Sequence, residues 1–202
     1  IGRKITVKER VMIQETYNME SLSGMVKWIL RILKGTFVVE GIGAIFFAFQ
    51  FIPEYGFLKG IWYSVFHSIS AFCNAGIDIL GADSFAAYAR NPLINLTTMI
   101  LIVAGGIGYT VWFDIIDNIR NFRKKGERRR GMFKILTLNS KVALTMTAIL
   151  IVTGTVSFLF LELSNPDTLG EFSFGDKVMG AAFQSVTTRT AGFFTVPQGD
   201  LR

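Results

Sequence analysis

Residues Leu93–Phe113 include no charged side chain, and neither do Val142–Leu161. A third stretch, Thr36–Ile52, is apolar apart from Glu40 and Gln50. At ~1.5 Å per helical residue, each covers most or all of a ~30 Å hydrocarbon layer. Peptide groups in such a layer must be paired within their own segment, so the three stretches predict membrane-spanning helices. Composition agrees, since only 18% of the residues are charged, against about a quarter in soluble domains.

Two further apolar stretches are too short to span. Ile61–Phe72 has 12 residues and Val178–Thr188 has 11, each worth ~17 Å as a helix, about half a bilayer. They lie between spans with little else to pack on, which favours re-entrant helices over short core helices of an extramembrane domain.

Lys and Arg set the orientation. Sixteen of the 21 fall in residues 1–35 and 116–141, and only Lys59, Arg90, Lys177, Arg189 and Arg202 lie elsewhere. The positive-inside rule places both basic segments in the cytoplasm. Pro53–Gly60 and Ser164–Gly175 are then expected outside, the side that also holds Glu54, Asp78, Asp83, Asp167, Glu171, Asp176 and Asp200. The net charge of +6 therefore reads as a cytosolic surface beside anionic lipid headgroups rather than as a nucleic-acid site. Within 22–34, Lys27, Arg31 and Lys34 share one helical face and Met25, Val26, Ile29, Leu30 and Leu33 the other. That pattern predicts an amphipathic helix feeding the first span. The chain begins at Ile1 and ends at Leu201–Arg202 and reads as a piece of a longer protein.

Catalytic and metal chemistry have little to work with. Cys73 is the single cysteine and His67 the single histidine, which excludes an intrachain disulfide and most His- or Cys-based metal sites. His67 has no Ser, Cys or second His at a useful spacing, so a hydrogen-bonded packing role is expected of it. Gly105-Gly106-Ile107-Gly108 resembles a nucleotide loop only superficially. It follows no strand and lies in an apolar run, where glycines serve close helix packing. Glu40 and Glu162 are acids at membrane depth or its edge, candidates for function or for helix-to-helix hydrogen bonds. Asp114 and Asp117 are expected to meet local arginines.

An internal repeat carries more. Residues 66–76 read F-H-S-I-S-A-F-C-N-A-G and residues 183–192 read F-Q-S-V-T-T-R-T-A-G. Phe66, Ser68 and Ile69 align with Phe183, Ser185 and Val186, Ser70 aligns with Thr187, and both segments end in Ala-Gly with one residue of length difference. The recurring unit is span, outer loop, half-length helix, Ala-Gly, span. A short helix entering from outside aims its negative C-terminal end at the membrane centre, which favours a cation there. The glycine then lets the returning backbone turn carbonyls inward, and rings of carbonyls replace an ion's hydration shell.

The segments FHSISAFCNAGID, GGIGYTVWFDI and above all FQSVTTRTAGFFT resemble the Trk/Ktr/HKT family of potassium transporters, most nearly its Ktr-type membrane subunit. The resemblance covers essentially the whole chain. It implies an all-α integral membrane fold of span–pore-loop–span repeats, with re-entrant half-helices around a central pore. Residues 1–35 would be the cytosolic link with its amphipathic helix, 36–115 the second repeat, 116–139 a basic cytosolic loop, and 140–202 the first span and pore loop of the third repeat. The first and fourth repeats and the span after the third loop would lie outside these residues, which alone cannot close a pore.

Carried over by residue, one selectivity-filter strand would comprise Cys73, Asn74, Ala75, Gly76 and Ile77. The other would comprise Thr188, Thr190, Ala191, Gly192 and Phe193, with Arg189 and His67 as supports. K⁺ would be held by the backbone carbonyls of Asn74, Ala75, Gly76, Thr190, Ala191 and Gly192. Cys73 and Ile77 depart from the family's frequent Asn-Asn-Ala-Gly-Phe, which leaves backbone coordination intact. The implied function is potassium uptake, not enzymatic, in a multi-pass plasma-membrane protein, with Na⁺ open as a second ion. The implied partners are membrane lipid, a second copy in a homodimer, and a cytosolic nucleotide-binding regulatory ring of the KTN/RCK type. The rival functions are a membrane scaffold without its own ion path and an intramembrane enzyme.

Overall fold

The computed structural model describes residues 6, 12, 25–81, 83–125 and 132–201. Among these, every regular element is helical. The longer helices are α1 (Met25–Tyr55), α2 (Phe57–Phe72), α3 (Pro92–Gly106), α4 (Tyr109–Lys125), α6 (Leu138–Glu162) and α7 (Phe174–Thr187), with a single turn, α5, at Met132–Ile135. Short 3₁₀ turns lie at Ala86–Tyr88 and Gln198–Asp200. Residues 22–24 of the expected amphipathic helix and 126–131 of the basic loop lie outside the described residues.

The chain divides into two compact units, Ile1–Val39 and Glu40–Arg202, with the boundary inside α1. In the first unit, Val26, Leu30, Leu33, Phe37 and Val38 are all exposed on the helix surface. Residues 25–34 of the expected surface helix and the expected first span both fall within α1.

Among the described residues, two helices are long and apolar enough to cross a membrane, Val26–Tyr55 and Leu138–Glu162. The third expected span, Leu93–Phe113, is not straight. It splits into α3 and α4, which together pass the same test but bend by 99° at Ile107–Gly108. Gly108 sits at φ +85°, a conformation open mainly to glycine. The break leaves carbonyls at the end of α3 without helical partners, and Trp112 Nε1 donates to one of them, Ala104 O, at 2.8 Å. α3 starts as regularly as it ends abruptly. Asn91 Oδ1 accepts from Leu93 N at 3.0 Å and Ile94 N at 3.3 Å, and Pro92 occupies the first position, where no N–H is needed.

The half-helices are longer than the apolar pattern implied, at 16 and 14 residues. Pro53 lies inside α1, and the connection from α1 to α2 is Gly56 alone, at φ +80°. Gly60 then lies so close to Ile52 that an added Cβ would sit 2.6 Å from Ile52 Cα. Ser173 caps α7, accepting from Asp176 N at 3.3 Å.

Behind α2 lies an aromatic core. Phe47, Phe51 and Phe85 are fully buried around His67, with ring centroids 5.3 to 6.4 Å from the imidazole. A smaller cluster of Leu169, Ala181 and Val196 seats α7 under the loop that follows α6. That loop is organised by Glu162, whose Oε2 accepts from Asn165 Nδ2 and Thr168 Oγ1, both at 2.6 Å. Asp114 does not meet arginine in the hydrogen bonds that define its surroundings. Its Oδ2 accepts from Thr137 N and Thr137 Oγ1 at 2.9 Å, and its Oδ1 from Asn118 Nδ2 at 2.8 Å. Thr137 caps α6, so Asp114 ties α4 to the start of that helix.

Candidate functional site

The two half-helices are anchored to the preceding long helices in the same way. Ser68 Oγ donates to Glu40 O at 2.6 Å, and Ser185 Oγ donates to Ile151 O at 2.9 Å. Three residues after each acceptor stands a glycine, Gly43 or Gly154, where a side-chain carbon would collide with the serine hydroxyl. Aligned serines thus meet matching gaps in two different helices, which fixes each half-helix in depth and rotation.

Where α2 ends, Asn74 takes the left-handed conformation (φ +52°), with Asn74 N bonded to Ala71 O at 3.2 Å and Ala75 N to Ser70 O at 2.9 Å. This is a Schellman-type stop, and asparagine tolerates its backbone better than most residues. α7 ends differently. Arg189 N reaches Val186 O at 3.3 Å, and Thr190 N and Ala191 N both reach Thr187 O, at 3.3 and 2.9 Å. The extra residue of the first loop is absorbed in its Schellman turn.

After these different exits, the loops converge. Gly76 has φ +63° and Gly192 has φ +89°. A Cβ built on Gly192 would lie 3.6 Å from Gly76 Cα, and one built on Gly76 would overlap the Ala191 carbonyl. Cys73, Ala75, Ile77, Thr188, Thr190 and Gly192 are exposed, Asn74, Gly76 and Arg189 are half-buried, and Ala191 and Phe193 are buried. The aligned residues Ile77 and Phe193 differ, at 61% and 0% exposure. Phe193 stacks on Phe85 with centroids 4.9 Å apart, and Phe85 N donates to Phe194 O at 3.0 Å.

Each loop then sends one carbonyl backwards. Ser70 Oγ donates to Ile77 O, and Thr187 Oγ1 donates to Phe193 O, both at 2.6 Å. Neither hydroxyl stands among the site residues read from the sequence, although the repeat alignment pairs them.

The two residues expected as supports make specific bonds. His67 Nδ1 lies 2.7 Å from Tyr63 O, and Ile79 N donates to His67 Nε2 at 3.5 Å. An accepting Nε2 puts the ring proton on Nδ1, so the neutral imidazole links its own helix to the chain beyond Gly76. Gln184, aligned with His67, is buried with its Oε1 unpartnered among the described residues. Arg189 Nη2 donates to Thr147 Oγ1 on α6 at 3.3 Å. Cys73 Sγ lies 3.9 Å from Glu40 Oε1. Gly105 packs against Phe72 O, with no room for a Cβ, which accounts for that glycine by helix packing.

Helices of bilayer length and apolarity, beside two shorter helices whose following glycine loops touch, are features of a helical membrane protein. The chain belongs to the TrkH family, described as cation transport proteins, which matches residues 6–202. It is 41% identical over 194 residues to the potassium/sodium uptake protein NtpJ of Enterococcus hirae, covering 96% of this chain and 40% of that protein. It is 36% identical over 202 residues to the Ktr system potassium uptake protein B of Bacillus subtilis, covering 100% of this chain and 42% of that protein. Against the protein of that name from Vibrio alginolyticus the identity is 34% over 195 residues, covering 96% and 40%. The chain therefore spans about two fifths of the length of these curated relatives.

Proposed function

We propose that this chain forms part of the pore of a potassium-uptake subunit in the plasma membrane, with residues 73–77 and 188–193 as two strands of its selectivity filter. The contact between Gly76 and Gly192 carries the reading, because it brings the ends of two half-helices to one point. Neither half-helix has a basic residue in its last turn; Arg189 follows α7 with its guanidinium turned to Thr147 on α6, so the dipole of α2 is the less compensated of the two. A charge of ~−0.5 at roughly 7 Å attracts a monovalent cation by about 1 kcal/mol per helix at an effective dielectric of ~20. That is enough to bias the site towards cations but not to choose among them.

Choice among cations falls to the backbone. The carbonyls of Asn74, Ala75, Gly76, Thr190, Ala191 and Gly192 would replace water around K⁺, with Na⁺ as a second ion to be tested. Positive φ at Gly76 and Gly192 is what permits successive carbonyls to face one side. Arg189 and His67 hold the strands from behind. The remaining walls of the pore would come from further span–pore-loop–span repeats of the full-length protein, whose curated relatives are more than twice as long as this chain. Relatives named as components of a Ktr system are consistent with a homodimeric membrane subunit on a cytosolic nucleotide-binding ring.

The test is rubidium or potassium flux into liposomes carrying the full-length protein, with Na⁺ as competitor. Selective flux is expected, and its loss in Gly192→Ser without loss of protein from the membrane. Flux whose ion preference is unchanged in both Gly76→Ser and Gly192→Ser would remove these loops from the ion path.

A further inference from the structure

We infer that the hydroxyls of Ser70 and Thr187 are positioning residues for ion selectivity, each holding the carbonyl that follows a loop glycine out of the ion path. The inference rests on the filter reading above and adds residues that the reading does not contain.

Serine and threonine within helices usually return their proton to the carbonyl one turn back. Several in this chain do so: Ser64 to Gly60 O at 2.6 Å, Thr98 to Ile94 O at 2.8 Å, and Thr155 to Ile151 O at 2.7 Å. Ser70 and Thr187 stand in the last turns of their half-helices and reach forward instead, across the whole loop, to Ile77 O and Phe193 O. Each hydroxyl has one proton, so the forward bond replaces the local one.

The bond recurs where the surroundings differ. One loop has a residue more than the other, they leave their helices by different turns, and their acceptor residues lie at opposite extremes of exposure. Both donor residues are nevertheless nearly inaccessible, Ser70 at 5% and Thr187 at 4%, so water competes little for either hydroxyl. Two loops that reach one bond of 2.6 Å by different routes share a requirement at the acceptor rather than an accident of packing.

The requirement concerns the peptide after the glycine. A carbonyl tied back to the half-helix cannot turn to the ion, so the run of coordinating oxygens ends at Gly76 and at Gly192. The tie also fixes the plane of the peptide next to the glycine carbonyl, which is the last oxygen left facing the ion. Without the hydroxyl, that peptide is free to rotate. The glycine carbonyl loses its fixed position, and the acceptor carbonyl, left without its buried donor, turns towards the ion or water. Discrimination between ions by a carbonyl ring depends on the number and placement of its oxygens, so preference degrades before transport does.

The experiment uses the full-length subunit in liposomes and reads the K⁺ over Na⁺ preference of rubidium uptake together with the melting temperature of the purified protein. Ser70→Ala and Thr187→Val are compared with Ser70→Thr and Thr187→Ser, which keep the donor, and with Ser64→Ala, which removes a buried hydroxyl from the same helix without touching the loop. The expected result is a preference lowered about tenfold in the first pair, the change that one lost hydrogen bond produces in an equilibrium constant, and retained in the other three. If Ser70→Ala is not recovered from membranes, Ser70→Cys, with its weaker donor, carries the same test. A lower melting temperature with unchanged preference in Ser70→Ala and Thr187→Val overturns the inference while Gly192→Ser still alters preference. Unchanged preference in Gly192→Ser as well overturns the filter reading and this inference with it.

Discussion

Gly76 and Gly192 are aligned residues of one repeat, and the structure separates what alanine would do at each. Both have positive φ, at +63° and +89°, so either substitution places a side chain in a backbone region that costs it roughly 1–2 kcal/mol. At Gly192 little is added, because the new Cβ has as its nearest neighbour Gly76 Cα at 3.6 Å, an ordinary contact. At Gly76 the new Cβ overlaps the Ala191 carbonyl and lies 2.8 Å from Gly192 Cα, so the partner backbone must move. Forcing extra volume into a packed site costs about 1–3 kcal/mol more, giving a total of roughly 2–5 kcal/mol for Gly76→Ala. The displaced group is itself a proposed coordinating carbonyl, so the strain would be relieved in the proposed ion site. Thermal unfolding of the full-length protein in detergent and competitive rubidium uptake would measure both consequences. Gly76→Ala should be the less stable and the less selective of the two. Equal losses, or a larger loss in Gly192→Ala, would refute the contact argument.

Other expectations follow from the geometry. His67→Gln should retain uptake, because glutamine already occupies the aligned site at Gln184 and can accept from Ile79 N, whereas His67→Ala leaves a cavity among Phe47, Phe51 and Phe85 and should destabilise by about 2–5 kcal/mol in a melt. Trp112→Phe keeps the ring that packs on Phe72 but loses the bond to Ala104 O at the bend, so a loss of about 1 kcal/mol in chemical denaturation is expected. For topology, impermeant thiol reagents applied outside to single cysteines in a Cys73→Ala background should label Asp167→Cys and not Lys124→Cys, and the reverse pattern would overturn the positive-inside assignment.

The recurring serine anchors bear on how such a chain folds. Gly43 and Gly154 leave room for the hydroxyls of Ser68 and Ser185, so each half-helix docks on its long helix by a fit of small residue to small residue. In lipid, where apolar side chains gain nothing by leaving one hydrocarbon for another, close backbone approach and hydrogen bonds are the interactions left to hold helices together. The repeat in sequence is therefore also a repeat in docking geometry.

Bilayer-length apolar runs, the shorter apolar helices and the repeated Ala-Gly were legible in the residues because each is a local property. Hydropathy depends on composition within a window, and glycine's freedom at Gly76 and Gly192 belongs to the residue itself. The destination of a polar side chain is not local. Nothing in the order of residues says that Ser70 reaches Ile77 O while Ser64 turns back to Gly60 O, since both are hydroxyls on one helix. Asp114, with arginines nearby in sequence, instead accepts from Thr137. The 99° break within Leu93–Phe113 was hidden for the same reason. An apolar run containing Gly105, Gly106 and Gly108 is compatible with a straight or a broken helix. Packing of Gly105 on Phe72 and the bond from Trp112 to Ala104 O accompany the broken one. The class of protein lay in the sequence, whereas the contact of Gly76 with Gly192 and the partner of each hydroxyl came only from tertiary structure, because a hydrogen bond is decided by which groups the whole fold brings within about 3 Å.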